Sequence, residues 1–358
     1  MNPLQTLAVP IVQAPMAGAT TPRLVAAVSS AGGLGSLPGG YNAPAKIREQ
    51  IAQVRALTDR PFAVNLFVGE YAPPPADVMQ RAHERLRRYR DELGIPHPDA
   101  PPVSATSFRA QFEVVAEARP AVFSFTFGIP PAEALARCRE LEIFTIGTAK
   151  TVAEAVALER AGVDAVCVQG YEAGGHHGAF LAPLEESLIG TLALVPQVVD
   201  AVSVPVLAAG GIGDGRGVAA VLALGACAAQ VGSAFLLSDE SSLSPAARGL
   251  LASEAARRTT LTTVFSGKHA RGVINRFIEE MTGAAEIAPY PYQNGLTRDV
   301  RDAATAQERP ELLSLWSGQA VALAKPLPAA EIVANLMREA RAAHDRAGVA
   351  LDGTPARG

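Results

Sequence analysis

Among the 358 residues there is little that points to a large or charged partner. Lys and Arg total 31 against 35 Asp and Glu, a formal charge of −4, so the basic excess that a phosphate backbone demands is missing and nucleic acid is not an expected partner. The three cysteines, Cys138, Cys167 and Cys227, form no CxxC pair and stand at no metal-ligand spacing, which excludes a disulfide framework and leaves buried, reduced thiols as the expectation. No second His or Cys stands at ligand spacing from a first, so no metal site is expected. No apolar run approaches the ~20 residues that cross a bilayer, and MNPLQTLAVPIVQAPMAG lacks a basic region ahead of an apolar core. A cytoplasmic protein without membrane contact is the expectation. A Rossmann GxGxxG is also missing, so nothing supports an NAD fold.

What is present is an alternation of short apolar runs with longer stretches of helical period, the pattern of parallel strands joined by helices. Eight strands are expected: Val9 to Ala14, Gly33 to Leu37, Phe62 to Phe67, Ala121 to Phe127, Ile143 to Gly147, Ala165 to Gln169, Val204 to Ala209 and Ala228 to Ser233. Between the fifth and sixth, Thr151 is a fitting N-cap and Gly162 a fitting C′ residue for a helix. The fold class expected is α/β, a TIM (β/α)8 barrel with an inserted flap and a C-terminal extension forming a second, smaller lobe. Residues 1–238 with 325–350 would form the barrel, an insertion of about 71–106 its flap, and 239–324 the lobe on the substrate side. The flap carries Arg81, Arg85, Arg87, Arg88 and Arg90, expected as a solvated helix face.

Active sites of such barrels lie at the carboxyl ends of the strands. There the chain reads QAPMAG after the first strand, Asn65 in the third, VQGYEAGGHHG after the sixth, LAAGGIGDGRG after the seventh and QVGSAF after the eighth. The last two loops match the usual phosphate site of the fold, with Gly210, Gly211, Gly232 and Ser233 as its residues, because glycine lets backbone N–H groups approach an anion. His176 follows two glycines at a strand end, and an imidazole there suits proton transfer or anion binding at neutral pH. Successive side chains diverge, so at most one of His176 and His177 should face the pocket. His83 and His269 lie away from strand ends and read as surface or packing residues.

In this order, QAPMAG, AGGLGSL, FAVNLF, VQGYEAGGHHG, LAAGGIGDGRG and QVGSAF resemble the nitronate monooxygenase family, formerly called 2-nitropropane dioxygenases, over nearly the whole chain. The insertion and the motifs APYPYQNGLT and LWSGQ look like its class I branch. The resemblance implies a TIM barrel holding FMN and oxidising alkyl nitronates, notably propionate 3-nitronate, with O2. It implies FMN contacts from Asn65, Gln169, Gly174, Gly211, Gln230, Val231, Gly232 and Ser233, with the backbone of Ala14, Pro15 and Met16 beside the ring. It implies His176 as the active-site histidine and Tyr290 and Tyr292 as pocket residues. Thr126 stands in the pocket where many relatives are expected to have histidine.

A nitronate carries its charge on oxygen, so the imidazole would serve it as a donor, while for a neutral nitroalkane it would serve as base. Rival readings are an FMN-dependent enoyl-thioester reductase, an NADH:quinone reductase, and a barrel that binds flavin without turnover.

Overall fold

The computed structural model describes residues 2–69, 71–99, 107–283 and 286–352. Eight parallel strands form one sheet: β1 (Ile11–Gln13), β2 (Gly35–Pro38), β3 (Phe62–Phe67), β4 (Val122–Thr126), β5 (Phe144–Ala149), β6 (Ala165–Gln169), β8 (Val206–Ala209) and β9 (Ala228–Val231). The order runs β1-β9-β8-β6-β5-β4-β3-β2, and the parallel bridge Val12↔Leu34 joins the two ends, which makes it a TIM barrel. All eight fall within about two residues of the expected positions. The strands read as near-continuous apolar runs because both faces are covered. One face fills the barrel interior with Val12, Ala63, Val122, Ile146, Cys167 and Leu207, and the other packs on the surrounding helices. The helix Val152–Ala161 starts and stops as its caps require: Thr151 accepts from the Glu154 N–H, and Gly162 takes φ 86.

Four observations differ from the sequence expectation. A second, antiparallel sheet exists, in which β11 (Ala270–Val273) pairs with both β10 (Thr259–Thr262) and β7 (Gly175–His176). Cys138 and Cys167 are buried, but Cys227 is exposed. The inserted segment does not hang from the barrel. Its helices Ala76–Arg85 and Arg87–Leu93 put Met79, Ala82, Leu86, Tyr89 and Leu93 into a separate core shared with the lobe.

Arg90, expected on a solvated face, is fully buried. Its Nε donates to Asp299 Oδ2 at 2.7 Å, its Nη1 to the His83 carbonyl and its Nη2 to the Leu296 carbonyl, both at 3.1 Å. The guanidinium therefore staples insertion to lobe, since a buried cation is tolerated only when paired and hydrogen-bonded. Arg90→Met should lower the stability of the protein by about 3 kcal/mol in urea unfolding, the cost of leaving Asp299 and two carbonyls without their donor. A change below about 0.5 kcal/mol would show the staple to be ornamental.

Candidate active site

A cavity of about 630 Å³ opens at the carboxyl ends of the barrel strands, a size suited to a cofactor with a small substrate. Thr126, Gln169, Ala209 and Gln230 line it from the barrel, and Arg301 and Trp316 from the lobe.

Three contacts and one backbone turn place His176 there. Its strand β7 is held against β11 in the register His176↔Ala270. Gly175 makes the turn at φ 72, a conformation that suits glycine. The Gln169 amide spans the loop, donating to the His176 carbonyl and accepting from the Gly178 N–H, each at 3.0 Å. Beneath the loop, buried Lys150 donates to the carbonyls of Gln169 at 2.9 Å and Gly170 at 3.4 Å. Gln169 thus lines the cavity while its amide is engaged in holding the histidine.

The imidazole sits among aromatic rings, with centroids 5.6 Å from Trp316, 5.7 Å from Phe127 and Tyr290, 6.1 Å from Phe67 and 6.2 Å from Tyr41. Phe127 reaches this place at φ 79, a costly conformation for a bulky residue. Nε2 lies 2.8 Å from Ser266 Oγ. That hydroxyl donates its single proton to the Lys268 carbonyl at 3.0 Å, so toward the imidazole it accepts, and Nε2 carries the hydrogen. Nδ1 is left with its lone pair; it has no protein partner and is not sealed in protein, so it opens to the cavity. Burial, then the charges of Lys268 and Arg301, hold the pKa of His176 down to about 3. His177 faces the other way, buried, with its pKa down to about 2 through burial and then Lys150 and Arg271.

The glycine loops lie on the same cavity. Among the described residues, the N–H groups of Gly210, Gly211, Ile212 and Gly213 after β8, and of Gly232 and Ser233 after β9, donate to no protein acceptor. Ala14, Pro15, Met16, Asn65, Gly174, Gly210, Gly211, Gln230, Gly232 and Ser233 all line it. Gly174 has an added reason to be glycine, since a Cβ would lie 2.4 Å from the backbone of Ser317 and Gly318. Three expected residues, Val231, Tyr290 and Tyr292, do not line it. Val231 points to the opposite face from Gln230 and packs against the surrounding helices, its carbonyl accepting from the Ala14 N–H at 2.8 Å. Tyr292 is buried in the lobe and donates to the Tyr71 carbonyl at 3.0 Å, whereas Tyr290 packs against His176. Ser266 and Arg301 carried no sequence signal, because neither stands at the end of a barrel strand, whereas Tyr41, after Gly39 and Gly40 at the end of β2, and Lys150, directly after β5, stand where the strand-end rule could have found them.

The nitronate monooxygenase family model matches residues 1–339. The chain belongs to the nitronate monooxygenase family. It is 44% identical over 332 residues to a probable nitronate monooxygenase of Staphylococcus aureus, covering 92% of this chain and 94% of that one. A nitroalkane oxidase from Streptomyces ansochromogenes superposes with a TM-score of 0.89 at 39% identity, over 96% of this chain and 99% of that one. FabK from Thermotoga maritima gives a TM-score of 0.75 at 29% identity, over 96% of each chain. This member of the nitronate monooxygenase family is therefore an oxidoreductase, and the family implies a flavin. The residues present fit one: the free N–H groups suit its phosphate and the adjoining cavity its ring.

Both imidazoles stay uncharged in the folded protein well below the ordinary histidine value, about 6.5, at which they titrate when unfolded. The unfolded chain binds more protons between pH 3 and 6.5, so stability is present above that window and is lost as pH falls through it. Thermal unfolding should show a midpoint that drops on acidification below pH 6.5, less steeply in His176→Gln. An acid slope identical in wild type and variant would contradict an uncharged His176.

Proposed function

We propose that the protein is an FMN-dependent nitronate monooxygenase, oxidising alkyl nitronates such as propionate 3-nitronate with O2 to a carbonyl compound and nitrite. The observation that carries this reading is the opening of the unprotonated Nδ1 of His176 and of the free N–H cradle into one cavity. Gly210, Gly211, Gly232 and Ser233 would hold the phosphate, with Ala14 to Met16 and Asn65 beside the ring. When bound, the flavin supplies the electron acceptor and the link to O2, chemistry that no side chain here provides.

The residues supply position and proton transfer. With Nε2–H given to Ser266, a neutral His176 offers the cavity an acceptor and not a donor. It is thus arranged to take the α-proton of a neutral nitroalkane at Nδ1. Tyr41 lines the cavity and its hydroxyl lies 3.4 Å from Nε2; burial raises its pKa, so it keeps its proton and is the donor available to nitronate oxygens. The aromatic rings around the imidazole exclude water and keep it uncharged.

Two measurements test this. Anaerobic propionate 3-nitronate should bleach the flavin of the purified protein; rapid bleaching by NADH with none by the nitronate would overturn the assignment in favour of a reductase. His176→Ala should keep its flavin and lose about 10²- to 10⁴-fold in turnover of neutral nitroethane, with a smaller loss on the preformed nitronate. Equal, slight losses on both would remove the base role.

A further inference from the structure

Arg271, on β11, is 1% exposed, lines no part of the cavity and has no carboxylate within ion-pair distance among the described residues. Its Nε donates to the Tyr171 carbonyl and its Nη1 to Thr259 Oγ1, both at 3.2 Å, while Nη2 is buried with no partner. The guanidinium carbon stands 4.3 Å from the centre of the Tyr171 ring. An apolar side chain would pack such a place at lower cost, because a buried cation held only by neutral acceptors and one ring face recovers little of its hydration. What the charge holds explains it better than packing does.

It holds both ends of the loop that carries His176. The backbone of Arg271 pairs with Gly175, the residue before His176, and its side chain grips Tyr171, at the start of the same loop. Its carbonyl accepts from the Ser317 N–H at 3.2 Å, in the segment that walls the cavity beside Trp316. Alternation along β11 turns the Arg271 side chain away from the face that Ala270 shares with His176. The two preceding carbonyls, those of Gly170 and Gln169, are the ones taken by Lys150 at 3.4 and 2.9 Å. Three successive carbonyls are thus held by two buried cations, one from the end of β5 and one from the lobe. Charge-assisted bonds are stronger than neutral ones, and these fix where the loop leaves the barrel, while the ladder fixes where it returns.

We infer that Arg271 is a positioning residue for His176: without touching the substrate, it closes the loop from Tyr171 to Gly175 on itself and so sets where the imidazole stands. The inference rests on the proposed base role of His176 and deepens it, since a base displaced by about 1 Å can lose about a hundredfold in rate.

The test is a double-mutant cycle on the flavin-loaded protein, read as turnover of nitroethane and of preformed ethyl nitronate. Arg271→Met should lower kcat for nitroethane about ten- to a hundredfold, with KM little changed and a smaller loss on the nitronate. In a His176→Ala background, with enzyme concentration raised to keep the residual rate measurable, the same substitution should cost less than about twofold. Arg271→Lys, which keeps a donor for the Tyr171 carbonyl, should recover part of the loss. Tyr171→Leu, which removes the stacked ring and leaves the carbonyl, should give a weaker form of the same pattern, so the outcome does not hang on one variant. Equal losses in both backgrounds, or loss of flavin as the single defect, would overturn the positioning role. Hydrogen exchange separates that failure from failure of the functional reading: residues 171–178 should exchange faster in Arg271→Met than in wild type, whatever the substrate proves to be. Nitroethane turnover that survives His176→Ala would remove the base role, and unchanged exchange over 171–178 would overturn the loop closure itself.

Discussion

The site depends on a two-residue antiparallel ladder, Gly175–His176 against Ala270–Arg271, which ties the loop after β6 to the lobe. Without it the imidazole would ride on a glycine-rich loop free to move. With it, the barrel contributes the histidine, and the segment that follows β11's partner strand contributes the serine that sets its tautomer. The Gln169 amide and the Lys150 ammonium brace the same loop from beneath, so His176 is held from both sides. Barrel and lobe are complete as a site only together.

Electrostatics then follow from placement. Five aromatic rings and burial keep His176 neutral, and the nearest charges are the cations Lys268 and Arg301. Cations favour an anionic ligand and disfavour a charged imidazole, so one arrangement both favours an anion beside His176 and keeps the imidazole an unprotonated acceptor. The N–H cradle after β8 and β9 stands on the barrel side, apart from this positive end.

The barrel is legible in the sequence because strands covered on both faces read as apolar runs, and because helix caps such as Thr151 and Gly162 act locally. The glycine loops and His176 are legible because the fold places function at strand ends. What stays hidden depends on distant partners. Arg90 looks solvated until Asp299, far along the chain, pairs with it. The two residues of β7 carry no pattern of their own. Tyr290 and Tyr292 look alike in sequence, yet only one ring turns toward His176, and Val231 is turned outward to the helices by the alternation that turns Gln230 to the cavity. Ser266 and Arg301 belong to the lobe, where no general rule marks which residue faces a cavity.

The most direct test of the shared cavity is a crystal structure of the flavin-loaded protein. It should place the flavin phosphate on the N–H groups of Gly211, Gly232 and Ser233, and the ring beside His176 with Nδ1 directed at the space above it. A flavin bound elsewhere, or an imidazole turned so that Nδ1 meets Ser266, would contradict the account.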